Sequence, residues 1–245
     1  MTSTKHADSA KPVPVVRRRG RRVRRHLGTA VLASVVFAVF WQTRLNWTPD
    51  MRFWKAAGDV GFVLLWTAIV IGPLATLWRP ARKLLPWRRQ LGIWFAIAAS
   101  LHALLILNGW ARWSVSRFFG YEFIPQLERE ARWEPGFGLA NLLGLSALTV
   151  GLMLAATSSD WAIRALRAPA WKFLHTGAYF VFYVGSIHAL YFLFIHFTVS
   201  FHKQPAPPDW FRYWFLGMVA TVAVLHVAAF VKTVITSRTR ANAPA

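Results

Sequence analysis

The chain contains no cysteine. That absence excludes disulfide frameworks, thiolate zinc sites, cysteine-ligated iron–sulfur clusters, covalently attached c-type haem and thiol relays, so any redox chemistry here must use another group. Acidic residues are nearly as scarce: nine Asp and Glu stand against 29 Lys and Arg, a net charge of +20 over 245 residues. The sequence also lacks an internal repeat and any Walker loop, G-x-G-x-x-G, H-E-x-x-H or G-x-S-x-G element, and leaves no room for a soluble nucleotide-binding domain. What it has in abundance is apolar side chains, 56% of the total, more than a soluble domain of this length hides. A chain both this basic and this apolar must segregate the two along its length. Long charge-free stretches exclude a disordered protein and argue against a nucleic-acid binder despite the basic balance.

Reading from charge to charge gives six long intervals: His26–Thr43, Val60–Trp78, Gln90–Ala111, Pro135–Ser159, Phe173–His202 and Tyr213–Val231. They run to 18, 19, 22, 25, 30 and 19 residues. About 20 apolar residues of helix cross the roughly 30 Å hydrocarbon core, so each is long enough to span. The expected fold is all-α, a polytopic bundle of six transmembrane helices. The first apolar run closes on Phe40-Trp41-Gln42-Thr43-Arg44 with no small-residue cleavage site after it, which reads as a signal anchor.

Lys and Arg in the flanks and loops give the orientation. With the N-terminus inside, the cytoplasmic segments hold 20 of them and the outer loops nine, so both termini are expected in the cytoplasm. Four glutamates, Glu122, Glu128, Glu130 and Glu134, gather in one outer loop. Trp residues such as Trp41, Trp47, Trp54, Trp110 and Trp113 mark the helix ends, as interfacial belts do. The organisation that follows is a disordered basic tail over residues 1–25, a membrane domain over 26–232 and a short tail over 233–245. Seven arginines between Arg17 and Arg25 read as an anchor against acidic headgroups, the nucleic-acid arm being the alternative.

Of eight histidines, His6 and His26 lie in or beside the tail, and His196 and His202 fall near the outer surface. The other four, His102, His175, His188 and His226, lie inside charge-free spans, where an ionisable group is costly and calls for a partner or a function. Neutral imidazole is a common ligand of haem iron, and a bundle core can hold a haem between facing helices. His102 stands 13 residues beyond Arg89 and His188 stands 16 beyond Lys172 on helices running the same way. At 1.5 Å per residue their heights differ by about 5 Å, close enough to share one iron. His175, three residues beyond Lys172, sits about 15 Å lower than His102 on the same reckoning and is the poorer partner. It is about 20 Å along the helix from His188 and about 140° around it, so the two face different neighbours. His226, six residues before Lys232, shares its leaflet with His175, which leaves a second, stacked haem between these two geometrically open. The plainer alternative is that each histidine only bonds a neighbouring helix. Arg88 and Arg89 on one side, or Arg112 and Arg117 on the other, are candidate partners for haem propionates.

Three stretches point to a known family: Arg88-Arg89-Gln90-Leu91-Gly92 leading to Leu101-His102; Thr157-Ser158-Ser159-Asp160-Trp161; and Trp171-Lys172-Phe173-Leu174-His175 with His188 thirteen residues on. On these the chain, over residues 55–200, resembles the ferric reductase-like transmembrane family, and within it the haem-binding membrane subunits of bacterial periplasmic methionine sulfoxide reductase systems. The resemblance implies a multi-pass protein of the bacterial inner membrane with a b-type haem core, one haem or two, whose ligands match His102, His175 and His188. It further implies a cytoplasmic flavin reductase or NAD(P)H-dependent donor, an acceptor at or beyond the outer face, and FMN as a further candidate cofactor. The sequence departs from the pattern in its arginine-rich arm, in the 24-residue loop between Ala111 and Gly136, and in Leu105-Ile106-Leu107-Asn108 after His102 where an aromatic is usual. The third span also lacks a second histidine at the spacing of the eukaryotic reductases, so their two-haem pattern does not carry over.

The reading that results is a six-helix haem b subunit passing electrons through bis-imidazole iron to an outer acceptor, with the bilayer as its environment and no nucleic acid. The rivals are a proton or metal-ion transporter working through buried histidines, and a non-redox membrane scaffold. Against the transporter, no Asp or Glu falls inside the charge-free intervals, whereas proton relays commonly mix acids with histidines.

Overall fold

The computed structural model describes residues 15–132, 136–196 and 207–241. Expectations for residues 1–14, Glu134, His202, Lys203 and the last four residues therefore lie outside the described residues. The helices are α1 (Val15–Gln42), α2 (Pro49–Leu77), α3 (Arg88–Gly109), the single turn α4 (Val115–Phe118), α5 (Phe137–Ala156), α6 (Asp160–His175), α7 (Gly177–Leu190) and α8 (Phe211–Ala241). Six helical segments are long and apolar enough to cross a membrane: Gly20–Gln42, Pro49–Leu77, Arg79–Gly109, Phe137–Ala156, Asp160–Ile195 and Phe211–Thr239. One end of the bundle, the basic face, gathers the start of α1, the α2–α3 and α5–α6 connections and the end of α8. The other, the hairpin face, gathers the α1–α2 turn, the α3–α5 loop and the start of α8.

The six segments overlap the six expected intervals, but helix boundaries ignore single charges. α2 begins with Pro49 at its first position and Asp50 in its first turn, a favourable start, and so carries Arg52, Lys55 and Asp59 inside the helix. It stops at Trp78 because Pro80 follows, disfavouring helical backbone at Arg79; a nine-residue 3-10 stretch, Arg79–Trp87, then leads into α3. Residues 15–25, expected in a disordered tail, form the first turns of α1. The single fifth span of the sequence reading is in fact two helices and a π-type turn over Tyr191–Ile195. Ser159 caps α6 by accepting from the Ala162 amide at 2.9 Å, and Arg167, at φ 59°, kinks it two residues before Pro169.

The all-α expectation misses one element. Between α4 and α5 the chain forms an antiparallel hairpin, β1 (Tyr121–Ile124) against β2 (Arg129–Arg132), with Tyr121 opposite Arg132 and Ile124 opposite Arg129. Arg132 donates to the Tyr121 hydroxyl at 3.2 Å and lies 5.6 Å over its ring, a cross-strand pair that fixes the register.

α2 is the hub. Its apolar window is 56% buried, against 28% or less in the other five spans. A core of Leu65, Ile69, Ala147, Leu154, Val181, Phe182 and Val222 joins α2, α5, α7 and α8. Outward-facing Val31, Leu145, Val224 and Phe230 are 47–70% exposed, an apolar belt that suits lipid and not water. On the basic face Asp160 pairs with Arg22 and, at 2.7 Å, with Arg89, tying α1, α3 and α6 together. These side chains are 31–43% exposed, so solvent screens the pairs. Asp160→Asn is expected to cost less than about 1 kcal/mol, read as a small shift in thermal unfolding in detergent.

Candidate functional site

The structure brings His102 and His188 together. Their rings, from α3 and α7, meet between the two helices with centroids 6.4 Å apart and planes 77° apart. Each ring is held by the same device on a different helix. His102 Nδ1 donates to the Trp54 carbonyl at 2.9 Å, and four residues on along α2 stands Gly58, where a Cβ would lie 3.0 Å from that same nitrogen. His188 Nδ1 donates to the Ala140 carbonyl at 2.7 Å, and four residues on along α5 stands Gly144, where a Cβ would lie 2.7 Å from Nδ1. Residues four apart share a helix face, so each glycine uncovers the carbonyl one turn before it and lets a neighbouring imidazole reach in.

This arrangement fixes the chemistry of both rings. A carbonyl oxygen only accepts, so each Nδ1 carries the proton and each Nε2 keeps its lone pair, the tautomer that ligates metal with its outer nitrogen oriented by a backbone bond. Imidazole–metal bonds of about 2 Å, with about 1.1 Å from nitrogen to ring centre, would put two imidazoles on one metal at most about 6.3 Å apart, centre to centre. The observed 6.4 Å matches that separation. Among the described residues no group of three or more His, Asp or Glu could hold a metal ion by itself. The residues present fit a six-coordinate haem.

The other two intramembrane histidines are placed differently. His175, the last residue of α6, stacks on Trp171 at 4.0 Å and shares a 3.3 Å hydrogen bond between its Nε2 and the Thr157 hydroxyl. His226 on α8 sits edge-on to Tyr179 at 4.5 Å, with Nδ1 3.4 Å from the Tyr183 hydroxyl and a buried Nε2 that has no hydrogen-bond partner. Both feel the charge of Arg88, whose Nε donates to the Ala68 carbonyl at 3.0 Å. No ring contact joins His175 to His226 among the described residues; each ring instead lies against the aromatic and hydroxyl neighbours of its own corner.

Sequence reading missed a four-charge cluster beside the pair. Arg44, 2% exposed, binds Asp59 and reaches Asp209 at 3.1 Å, while Lys55 reaches the other oxygen of Asp209 at 3.1 Å. Asp209 also caps α8, accepting from the Phe211 amide at 3.2 Å. Burial opposes ionisation of Asp209, but Lys55 and Arg44 outweigh it and hold the carboxyl below its ordinary range; Arg44 is likewise held above its own, burial being outweighed by Asp59 and Asp209. Cutting the sequence at charges put Asp59 outside the second interval. The helix puts it inside the span, which corrects the statement that the spans hold no acid. Paired to Arg44, Asp59 is still not a free relay acid.

From His188 a run of ring contacts leads to the hairpin face: Phe192 at 5.0 Å, then Phe137 at 5.3 Å, then Trp110 at 4.4 Å. Gly136 and Gly138, flanking Phe137, border a cavity of about 570 Å³ that Phe119, Tyr121, Glu130 and Arg132 also line. His196 joins this aromatic group, 5.5 Å from Phe137, where a plain surface residue was expected. Of the candidate propionate partners, Arg89 is engaged with Asp160 and Arg117 with Glu122 at 3.3 Å.

Residues 27–186 match the family model described as ferric reductase like transmembrane component. Over 155 residues the chain is 29% identical to the protein-methionine-sulfoxide reductase heme-binding subunit MsrQ of Polaromonas naphthalenivorans (strain CJ2), a match covering 62% of this chain and 64% of that protein.

Proposed function

Since the chain belongs to the ferric reductase like transmembrane component family, we propose that it is a haem-binding electron-transfer subunit of a membrane redox system, with His102 and His188 as the two axial ligands. The observation that carries the reading is the imidazole pair, 6.4 Å apart, with both Nδ1 atoms committed to backbone carbonyls. A haem bound there supplies a one-electron couple. Two protein ligands leave no open coordination position, which favours electron transfer over direct activation of a substrate. The chain's own part is to fix both rings in one tautomer, to exclude water with the apolar walls of α2, α5 and α7, and to lead aromatic contacts toward the hairpin face.

His102 stands seven residues before the end of α3, about 10 Å from the hairpin-face end, so the haem lies nearer that face than the basic one. Arg112 and Arg117, at that face, are then the candidate cations for the propionates. The excess of Lys and Arg on the opposite face supports the reading that this face, with both termini, is the cytoplasmic one in a bacterial inner membrane. The donor is a cytoplasmic flavin- or NAD(P)H-dependent reductase meeting the basic face. The acceptor docks at the hairpin face beside the cavity lined by Tyr121, Glu130 and Arg132. As the MsrQ relative is named as a subunit of a methionine sulfoxide reductase, the acceptor is read as a partner redox protein.

The test is a dithionite-reduced minus oxidised spectrum of the full-length protein purified from membranes. A low-spin b-type spectrum at one haem per chain is the expected result. A colourless protein returns the choice to a transporter or a scaffold.

A further inference from the structure

α2 presents two neighbouring rows to two different tasks. Trp54 and Gly58 seat the His102 ring; Lys55 and Asp59, each one residue on, form the adjacent row that enters the cluster with Arg44 and Asp209. Lys55 and Asp59 are also the two charged groups that act on the His102 ring. All four side chains are at most 16% exposed, so water does little to mute their fields. Two cations and two anions balance when all are ionised, an arrangement in which removal of any one leaves an uncompensated charge beside the ligand.

We propose that the cluster of Arg44, Lys55, Asp59 and Asp209 sets the reduction potential of the haem held by His102 and His188. The proposal rests on the haem reading above. Reduction of ferric to ferrous iron adds one electron and so one unit of negative charge at the iron. An excess positive charge nearby favours the reduced form and raises the potential; an excess negative charge lowers it. None of the four is a haem ligand in that reading. They act through the His102 environment as positioning and electrostatic groups.

The sign of the effect separates this role from bracing. Breaking a brace loosens α1, α2 and α8 in the same way whichever partner is removed, whereas a charge effect reverses with the charge removed. The experiment is a redox titration of the full-length protein in lipid nanodiscs, followed in the haem α-band, for Asp59→Asn, Asp209→Asn, Lys55→Gln and the double variant Lys55→Gln/Asp59→Asn. Either aspartate variant is expected to increase the reduced-to-oxidised ratio at a fixed ambient potential by about threefold or more, and Lys55→Gln to decrease it by a similar factor. The double variant is expected to return toward the starting value. Should Asp59→Asn fail to accumulate, Asp209→Asn carries the same test from outside the span. A normal haem spectrum with unchanged potentials, or shifts of one sign in all single variants, overturns the proposal and leaves the haem reading standing. Absence of the band from the unsubstituted protein overturns both.

Discussion

His188→Ala is expected to lower the haem content of the purified protein by more than tenfold, and His102→Ala to do the same, because each ligand makes half of one site. The two imidazoles meet with centroids 6.4 Å apart. Removing one ring leaves a single imidazole and opens a space against Gly144 or Gly58. Each change removes one imidazole bond to a neighbouring helix's carbonyl but no charge and no part of the apolar core, so both variants should still reach the membrane. Pyridine haemochrome assay per mole of protein gives the haem content, and residual haem in either variant should be high-spin, returning toward low-spin on addition of imidazole. His175→Ala and His226→Ala provide the contrast. Those rings lie against Trp171, Thr157, Tyr179 and Tyr183, so their loss should leave the low-spin spectrum in place. Retention of a full low-spin spectrum in both His102→Ala and His188→Ala sinks the pairing.

Charge and hydropathy made the six spans legible in the sequence, because the cost of charge in hydrocarbon is large enough to shape composition directly. Helix ends were less legible. The cost of carrying Asp59 and Lys55 into α2 is offset by Arg44 and Asp209, which come from a turn and a loop 15 and 154 residues away from Asp59 and Lys55 respectively, and no local pattern announces such pairing. The hairpin β1–β2 escaped for a similar reason: Tyr121-Glu122-Phe123-Ile124 is too short for its alternation to stand out, and its register depends on Arg132 across the turn. Counting residues from the flanking charges put His102 and His188 at similar depth, and the structure brings their ring centroids within 6.4 Å. The same counting put His175 near His226 in depth but had no access to helix azimuth, and the α6–α7 break at Thr176 together with the kink at Arg167 sets that azimuth. The seats of the two ligands were invisible as well. A glycine in an apolar span reads as packing until the imidazole above it is known.

Those seats carry the sharpest consequence of the geometry. Gly144→Ala keeps both histidines and every charge, yet is expected to weaken haem binding about 10- to 100-fold, the range found when the partner orienting a metal-bound histidine is lost. Its new Cβ would lie 2.7 Å from His188 Nδ1 and 2.8 Å from Cε1, closer than real contacts allow. The ring must therefore leave the Ala140 carbonyl, which frees Nδ1 from its proton-fixing bond and turns Nε2 out of the orientation that bond sets. At Gly58 the corresponding contacts with His102 are 3.0 and 3.2 Å, tight but within reach of a small shift, so Gly58→Ala should weaken binding less than Gly144→Ala. Gly185→Ala, whose Cβ would meet only the Ala147 Cβ at 4.0 Å, should bind haem as the parent does. Haem titration into apoprotein, followed in the Soret band, gives all three affinities on one scale. The ordering is the test: an affinity for Gly144→Ala equal to that of Gly185→Ala means the carbonyl and glycine notch does not seat the ligand, whatever the histidines themselves do. If the ordering holds, the ligand geometry is set by the backbone of α2 and α5, and the two helices without a ligand determine where the iron sits as much as the two that carry one.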